Sequence, residues 1–145
     1  MTLRPIPEIV PTPRPGMIPP LVSIIVPAHR ASRYLRIALE SVRAQAWPHW
    51  ELLVCEDGAL DDTADQVNAF AATITQRVRL LRHPHARGVS FARNALLDAA
   101  TGEYTAFLDA DDRWTPDHLA YSLERLKSAH ADWIIGGLNL IDPDG

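Results

Sequence analysis

The sequence holds one cysteine, Cys55, so no intrachain disulfide can form and the chain fits a reducing compartment. It has no excess of basic residues: 14 Lys and Arg stand against 18 Asp and Glu, for a formal net charge of -4. A surface built to neutralise nucleic-acid phosphates needs the opposite balance, and nucleic acid is not an expected partner. No apolar run is long enough to span a bilayer, and the N-terminus lacks the basic-then-apolar pattern of a secretory signal. The expected location is the cytoplasm, with any contact to a membrane made through an acceptor substrate. Glycine is missing where two large classes of nucleotide-binding protein need it. Pro27-Ala28-His29 follows the first strand-like run, which excludes the glycine-rich turn of a dinucleotide-dependent oxidoreductase, and no Gly-x-x-x-x-Gly-Lys loop exists to cradle a nucleoside triphosphate. Nor are there acids after that run to hold the cation of a phospho-accepting receiver domain.

What the chain does have is proline at its start and regular alternation after it. Seven of the 12 prolines fall in residues 1–20, where they remove backbone donors and block helix and central strand alike, so this stretch reads as an extended arm. Residues 21–145 read as one domain. A β-branched run, Val22 to Val26, leads to a helix with Ser32 as its N-cap and Leu35, Ala38, Leu39, Val42 and Ala46 on one face. The unit recurs from Leu52 to Cys55, with Asp61 and Asp62 capping a helix that turns Ala64, Val67, Ala71 and Ile74 inward. A third copy runs from Val78 to Leu81 into a helix capped near Ser90, with Val89, Ala92, Leu96 and Ala100 inward. The fourth starts at Tyr104 to Leu108 and enters a helix with Thr115 as N-cap and Pro116 at its first position. A fifth strand is expected at Trp133 to Ile135, and a sixth at Leu138 to Ile141 running into the turn Asp142 to Gly145. Such alternation calls for an α/β, doubly wound, mostly parallel sheet of Rossmann type, covered by helices on both faces. The closing turn implies a domain truncated after its nucleotide-binding half, with its remaining half elsewhere or absent.

Doubly wound sheets bind ligands beyond the carboxyl ends of their strands. There the sequence places Pro27-Ala28-His29, then Glu56-Asp57-Gly58, then Asp109-Ala110-Asp111-Asp112. With the first strand between the second and fourth, Asp57 and Asp109 stand two strand spacings apart, roughly 10 Å, which suits a nucleoside laid across the sheet edge. Asp57 then accepts from a base N–H, the backbone at Pro27 and Ala28 brackets the ring, and Asp109 takes ribose hydroxyls. Asp109 and Asp111, two residues apart, lie about 6 to 7 Å from each other on one side of an extended segment. Their repulsion, about 2 to 3 kcal/mol at an effective dielectric of ~20, is offset by a hard divalent cation that also takes phosphate oxygens. Such a cation stabilises charge on a departing nucleoside diphosphate.

Four segments together carry a family resemblance: Val22-Ser-Ile-Ile-Val-Pro27; Glu51-Leu-Leu-Val-Cys-Glu-Asp-Gly58 with Asp61-Asp-Thr63; Gly88-Val-Ser-Phe-Ala-Arg-Asn94; and Gly102-Glu-Tyr-Thr-Ala-Phe-Leu-Asp-Ala-Asp-Asp112. In order and spacing the chain resembles glycosyltransferase family 2 from about Pro20 onward. The resemblance implies a GT-A fold, a nucleotide-sugar donor, often UDP-linked, Mn²⁺ or Mg²⁺, and inversion at the anomeric carbon. It makes Asp57 the base contact, Asp109 the ribose contact and Asp111 the metal ligand, and puts Arg93 near the diphosphate, with Pro27, Ala28, His29 and Ala110 completing the nucleotide site. His29 and Arg30 depart from the Tyr-Asn common in the family, as do Glu56 and Ala59 from its Asp and Ser. The family's general base is a carboxylate in the second half, which puts it beyond Gly145. The acceptor, a saccharide, lipid or protein, is not encoded in these motifs. The competing reading is a catalytically inert fragment that binds nucleoside diphosphate or only folds.

Other residues have plainer explanations. His83 and His85 lack a third ligand and do not make a metal site. Cys55 reads as a small buried hydrophobe. The four tryptophans read as packing residues, with Trp114 close enough to the acids to line a donor pocket.

Overall fold

A computed structural model describes residues 18–58 and 61–137. Four strands, β1 (Val22–Ala28), β2 (Trp50–Asp57), β3 (Val78–His83) and β4 (Tyr104–Phe107), alternate with four helices, α1 (Ser32–Arg43), α2 (Thr63–Ala71), α3 (Val89–Ala99) and α4 (His118–Ala129). The sheet order is β3-β2-β1-β4, and every pair is parallel. β1 is therefore flanked by β2 and β4, as the sequence leads one to expect. The chain winds outward through β2 and β3 and then returns to the other side of β1, so its direction reverses between β1 and β4.

Alternation of side chains along the strands explains the layers. Val22, Ile24, Val26, Leu52 and Val54 face α1, α2 and α4, packing on Leu35, Leu39, Val67, Phe70, Leu119 and Leu123. Ile25, Leu53 and Cys55 face the opposite way onto Ala92 and Leu96 of α3. Strands buried on both sides read as continuous apolar runs because neither side meets water. Each fully buried Ile or Leu contributes about 1.5 to 3 kcal/mol relative to exposure.

One polar cluster interrupts this core at the amino ends of the strands. Glu51 on β2 is buried, and its Oε1 accepts from Ser23 Oγ (2.7 Å), Thr101 N (2.7 Å) and Thr101 Oγ1 (2.8 Å). Ser23 Oγ in turn accepts from Gly102 N at 2.8 Å. The loop into β4 is thus tied to both β1 and β2. Only glycine fits at position 102, because a Cβ there would come within 2.7 Å of Leu21 O and Ser23 N.

Several expectations are corrected. Trp133 to Ile135 form no strand; Trp133 is 72% and Ile135 79% exposed, and no described strand lies alongside to pair with them. β-branched composition needs a neighbour to become a strand, and Trp133 is correspondingly not a packing residue. Val89, expected inward, is half exposed because α3 begins there and its first turn projects past the sheet. The N-caps are Ala31, Gly88 and Asp117 rather than Ser32, Ser90 and Thr115. Before α4, Thr115 O accepts from His118 N at 3.1 Å in a separate turn, so Pro116 precedes the helix. The expected segments Leu138 to Ile141 and Asp142 to Gly145, and most of the proline-rich arm, lie outside the described residues.

Candidate nucleotide-binding site

The carboxyl ends of β1 and β2 and the start of α3 enclose a cavity of about 280 Å³, lined by Pro27, Ala28, His29, Asp57, Ala86, Gly88, Val89 and Ala92. Two glycines shape it. Gly58 has φ +67, and a Cβ on it would stand 2.0 Å from Ala86 N, so the loop between β3 and α3 passes directly over this turn. Gly88 has φ +96 and lets the chain reverse into α3.

Asp57 holds that loop. Its Oδ1 accepts from Arg87 N (3.0 Å) and its Oδ2 from Arg87 N (3.0 Å) and Gly88 N (2.7 Å), while His83 Nδ1 lies 3.1 Å from Oδ1. Burial pushes the Asp57 carboxyl up, but the N–H donors of Arg87 and Gly88 and the His83 imidazole outweigh it and hold the group below its ordinary value. Next to it, His29 Nδ1 donates to the Asp57 carbonyl at 2.6 Å, joining the β1 and β2 ends across the crevice. That bond fixes the His29 tautomer with its proton on Nδ1. Glu56, one residue earlier and buried, pairs with Arg82 of β3 and so serves the sheet.

β4 delivers the acids. Leu108 N donates to Ile25 O at 3.0 Å, which carries the chain one residue past the strand and brings Asp109 beside the end of β1. Asp112 N then bonds Asp109 O at 3.0 Å, closing a turn in which Ala110 is buried and Asp111 and Asp112 are exposed. Ala110 thus offers a ligand only its backbone. Loss of hydration, then the charges of Asp111 and Asp109, push the Asp112 carboxyl up. From α3, Arg93 reaches Asp109: Nη2 donates to Oδ1 at 2.6 Å.

No group of three or more His, Cys, Asp or Glu converges on a single point among the described residues. A cation here would take one or two carboxylate oxygens from the protein and the remainder from phosphates and water. Hard carboxylate donors in that number suit Mg²⁺ or Mn²⁺, which retain waters and bind through substrate phosphates. The residues present fit such an ion, which Asp111 would hold.

The remaining candidates fall into place. His83 packs edge-on to Phe91 (4.9 Å between ring centres), and Cys55 Sγ lies 3.6 Å from His83 Nδ1. Burial first, then the charges of Asp57 and Glu56, push the Cys55 thiol up to about 11, so it stays neutral. Trp47 and Trp50 are buried, and Trp114 stacks on His118 at 4.4 Å while packing against the core. The sequence reading missed Ala86, Gly88, Val89 and Ala92 as cavity walls. It missed Arg87 too, whose guanidinium carbon sits 3.5 Å over the Phe91 ring. Gly88 ahead of a helical pattern was the available signal.

Comparison with known proteins decides the family. The sequence pattern of glycosyl transferase family 2 matches residues 23–145. The chain belongs to glycosyltransferase family 2. Among relatives in that family is an Escherichia coli UDP-Glc:alpha-D-GlcNAc-diphosphoundecaprenol beta-1,3-glucosyltransferase, 34% identical over 122 residues, covering 84% of this chain and 47% of the relative. S. aureus TarS 1-349 in complex with UDP-GlcNAc superposes with a TM-score of 0.70 at 25% identity, over 75% of this chain and 32% of that one. A Pyrobaculum calidifontis mannosyltransferase in complex with GDP-Man and Mn²⁺ gives 0.71 at 29% identity, over 79% of this chain and 34% of that one. The fold of this family 2 chain is accordingly GT-A. It spans about half the length of the curated relatives it matches.

Proposed function

We propose that this chain is the nucleotide-sugar-binding half of a metal-dependent, inverting glycosyltransferase with a UDP-linked donor. The observation that carries the reading is the adjacency of two features at the point where the winding reverses. One is a cavity at the ends of β1 and β2; the other is an acidic turn at the end of β4. In this reading the nucleoside enters the cavity between Pro27, Ala28, His29 and Asp57, Asp109 takes the ribose, and Asp111 is the metal ligand. When bound, the divalent cation, Mn²⁺ or Mg²⁺, neutralises charge on the departing diphosphate. The uridine assignment draws support from the UDP-sugar named for the E. coli relative and the UDP-GlcNAc bound to the S. aureus protein. In this reading the general base is a carboxylate, and the acceptor is a saccharide, lipid or protein. The reaction would take place in the cytoplasm, with a membrane reached through the acceptor; no described helix is long and apolar enough to cross one.

A binding-only role is the second reading. Calorimetry with UDP in the presence and absence of Mn²⁺ tests the common part. Binding that requires Mn²⁺ and disappears with a chelator is expected, and no heat under either condition would sink both versions. Release of UDP from a UDP-sugar by the same preparation separates turnover from binding.

A further inference from the structure

Gln45, just past the end of α1, is 7% exposed, and its amide reaches a segment far along the chain. Nε2 donates to Ser41 O at 3.0 Å and to Thr115 O at 2.8 Å, while Oε1 accepts from Leu119 N at 3.0 Å. Two carbonyls face the nitrogen and one N–H faces the oxygen, so the amide has a single orientation. Beside it Ala46 N donates to Pro116 O at 2.8 Å. The start of α4 is thereby pinned to the end of α1. An apolar side chain could fill the same volume, but it would leave a carbonyl and an N–H without partners.

The pinned segment begins three residues after Asp112. At its other end the acidic turn is fixed where Leu108 N meets Ile25 O at 3.0 Å. Asp111, itself exposed, therefore stands in a short stretch held between two anchors, Leu108 and Thr115. Inside that stretch the bond from Asp112 N to Asp109 O keeps the turn closed. Three carboxylates within four residues repel one another and favour a splayed turn, which the two anchors oppose.

From this arrangement we propose that Gln45 is a positioning residue for the metal site. It sets Asp111 by fixing the far end of the turn that carries it, and it touches neither metal nor nucleotide. The proposal rests on the reading of Asp111 as the metal ligand. A ligand held in advance spares the cost of ordering it when the cation and the diphosphate arrive, so a support behind the turn raises affinity for both.

Two measurements on the full chain test this, amide hydrogen exchange at Asp112 and calorimetry with UDP at saturating Mn²⁺. Gln45→Met keeps the volume and removes the amide. Exchange at the Asp112 N–H should become about fivefold faster, the effect of one net hydrogen bond on local opening. UDP should bind about tenfold more weakly, as when a support behind a metal ligand is lost. Val67→Ala, a cavity under α2 away from the turn, lowers stability by other means and should keep wild-type values of both. Equal losses in Gln45→Met and Val67→Ala would make the role merely structural and overturn the proposal. Wild-type exchange at Asp112 in Gln45→Met, or unchanged UDP affinity, overturns it too. Gln45→Asn keeps the amide one methylene short and should fall between; if Gln45→Met does not fold, wild-type values in Gln45→Asn overturn the proposal. A wild-type chain that binds no UDP with Mn²⁺ defeats the metal-ligand reading itself, and exchange at Asp112 then still decides whether Gln45 holds the turn.

Discussion

The Asp57 carboxylate accepts the Gly88 N–H at 2.7 Å, so the residue that ends β2 also fixes the first turn of α3. One acid thereby shapes two walls of the cavity. Asp57→Asn keeps the size but turns an N–H donor toward backbone N–H groups that need an acceptor. The expected cost is about 2 kcal/mol of stability, the penalty of leaving a buried polar group unpaired. Urea denaturation of wild type and variant measures it, and matching midpoints would show that the loop is held by other contacts.

Glu51 and Asp57 also set the acid limit of the fold. Burial pushes the Glu51 carboxyl up, but the bonds from Ser23 and Thr101 and the Arg77 charge outweigh it, so it sits below its ordinary value of 4.5, as Asp57 sits below 3.8. A carboxyl depressed in the folded state adds stability at pH values above its unfolded value, and that stability is lost as pH falls through the folded one. Unfolding free energy should therefore be level from neutral pH to about pH 5 and drop below about pH 4. In Glu51→Ala the drop should be shallower, on top of a loss of about 2 kcal/mol at neutral pH. Thermal melts across the pH series give both quantities.

Gly58→Ala meets two obstacles at once: a positive φ, and Ala86 N 2.0 Å from the new Cβ. The backbone must move because the atoms met, Ala86 N, His85 C and Ala86 Cα, all belong to the main chain. A loss of about 2 kcal/mol or more is expected, together with weaker nucleotide binding, since Ala86 lines the cavity. A variant with wild-type melting temperature and affinity would mean that the loop does not pass over this turn in solution.

Asp111→Asn tests the metal assignment directly. Asp111 is exposed and has no ion-pair partner among the described residues, so its replacement should leave helix content unchanged by circular dichroism. Metal-dependent UDP binding should be lost. Equal affinity in variant and wild type would remove Asp111 from the ligand set.

Most of the framework is legible in the chain itself. The runs at Val22 and Leu52 are apolar because their strands are covered on both sides, and the inward positions Leu35, Ala38, Leu39 and Val42 of α1 follow from helical spacing alone, whereas Ala46, expected on the same face, lies past the end of α1 and is exposed. Helix starts were less legible. Ser32 and Thr115 have the right chemistry for caps, but neighbouring backbone turns set the boundaries at Ala31 and Asp117. Trp133 to Ile135 has strand composition without a strand beside it.

Local sequence determined what depends on near neighbours and simple periodicity: four β-α units, a parallel sheet, and acids at the ends of β2 and β4. Tertiary structure alone decided where those acids spend their hydrogen bonds. Asp57 meets Arg87 and Gly88 thirty residues away, and Arg93 meets Asp109 across the gap between α3 and β4. Such pairings depend on how separate elements stack on the sheet, and no spacing along the chain encodes that distance.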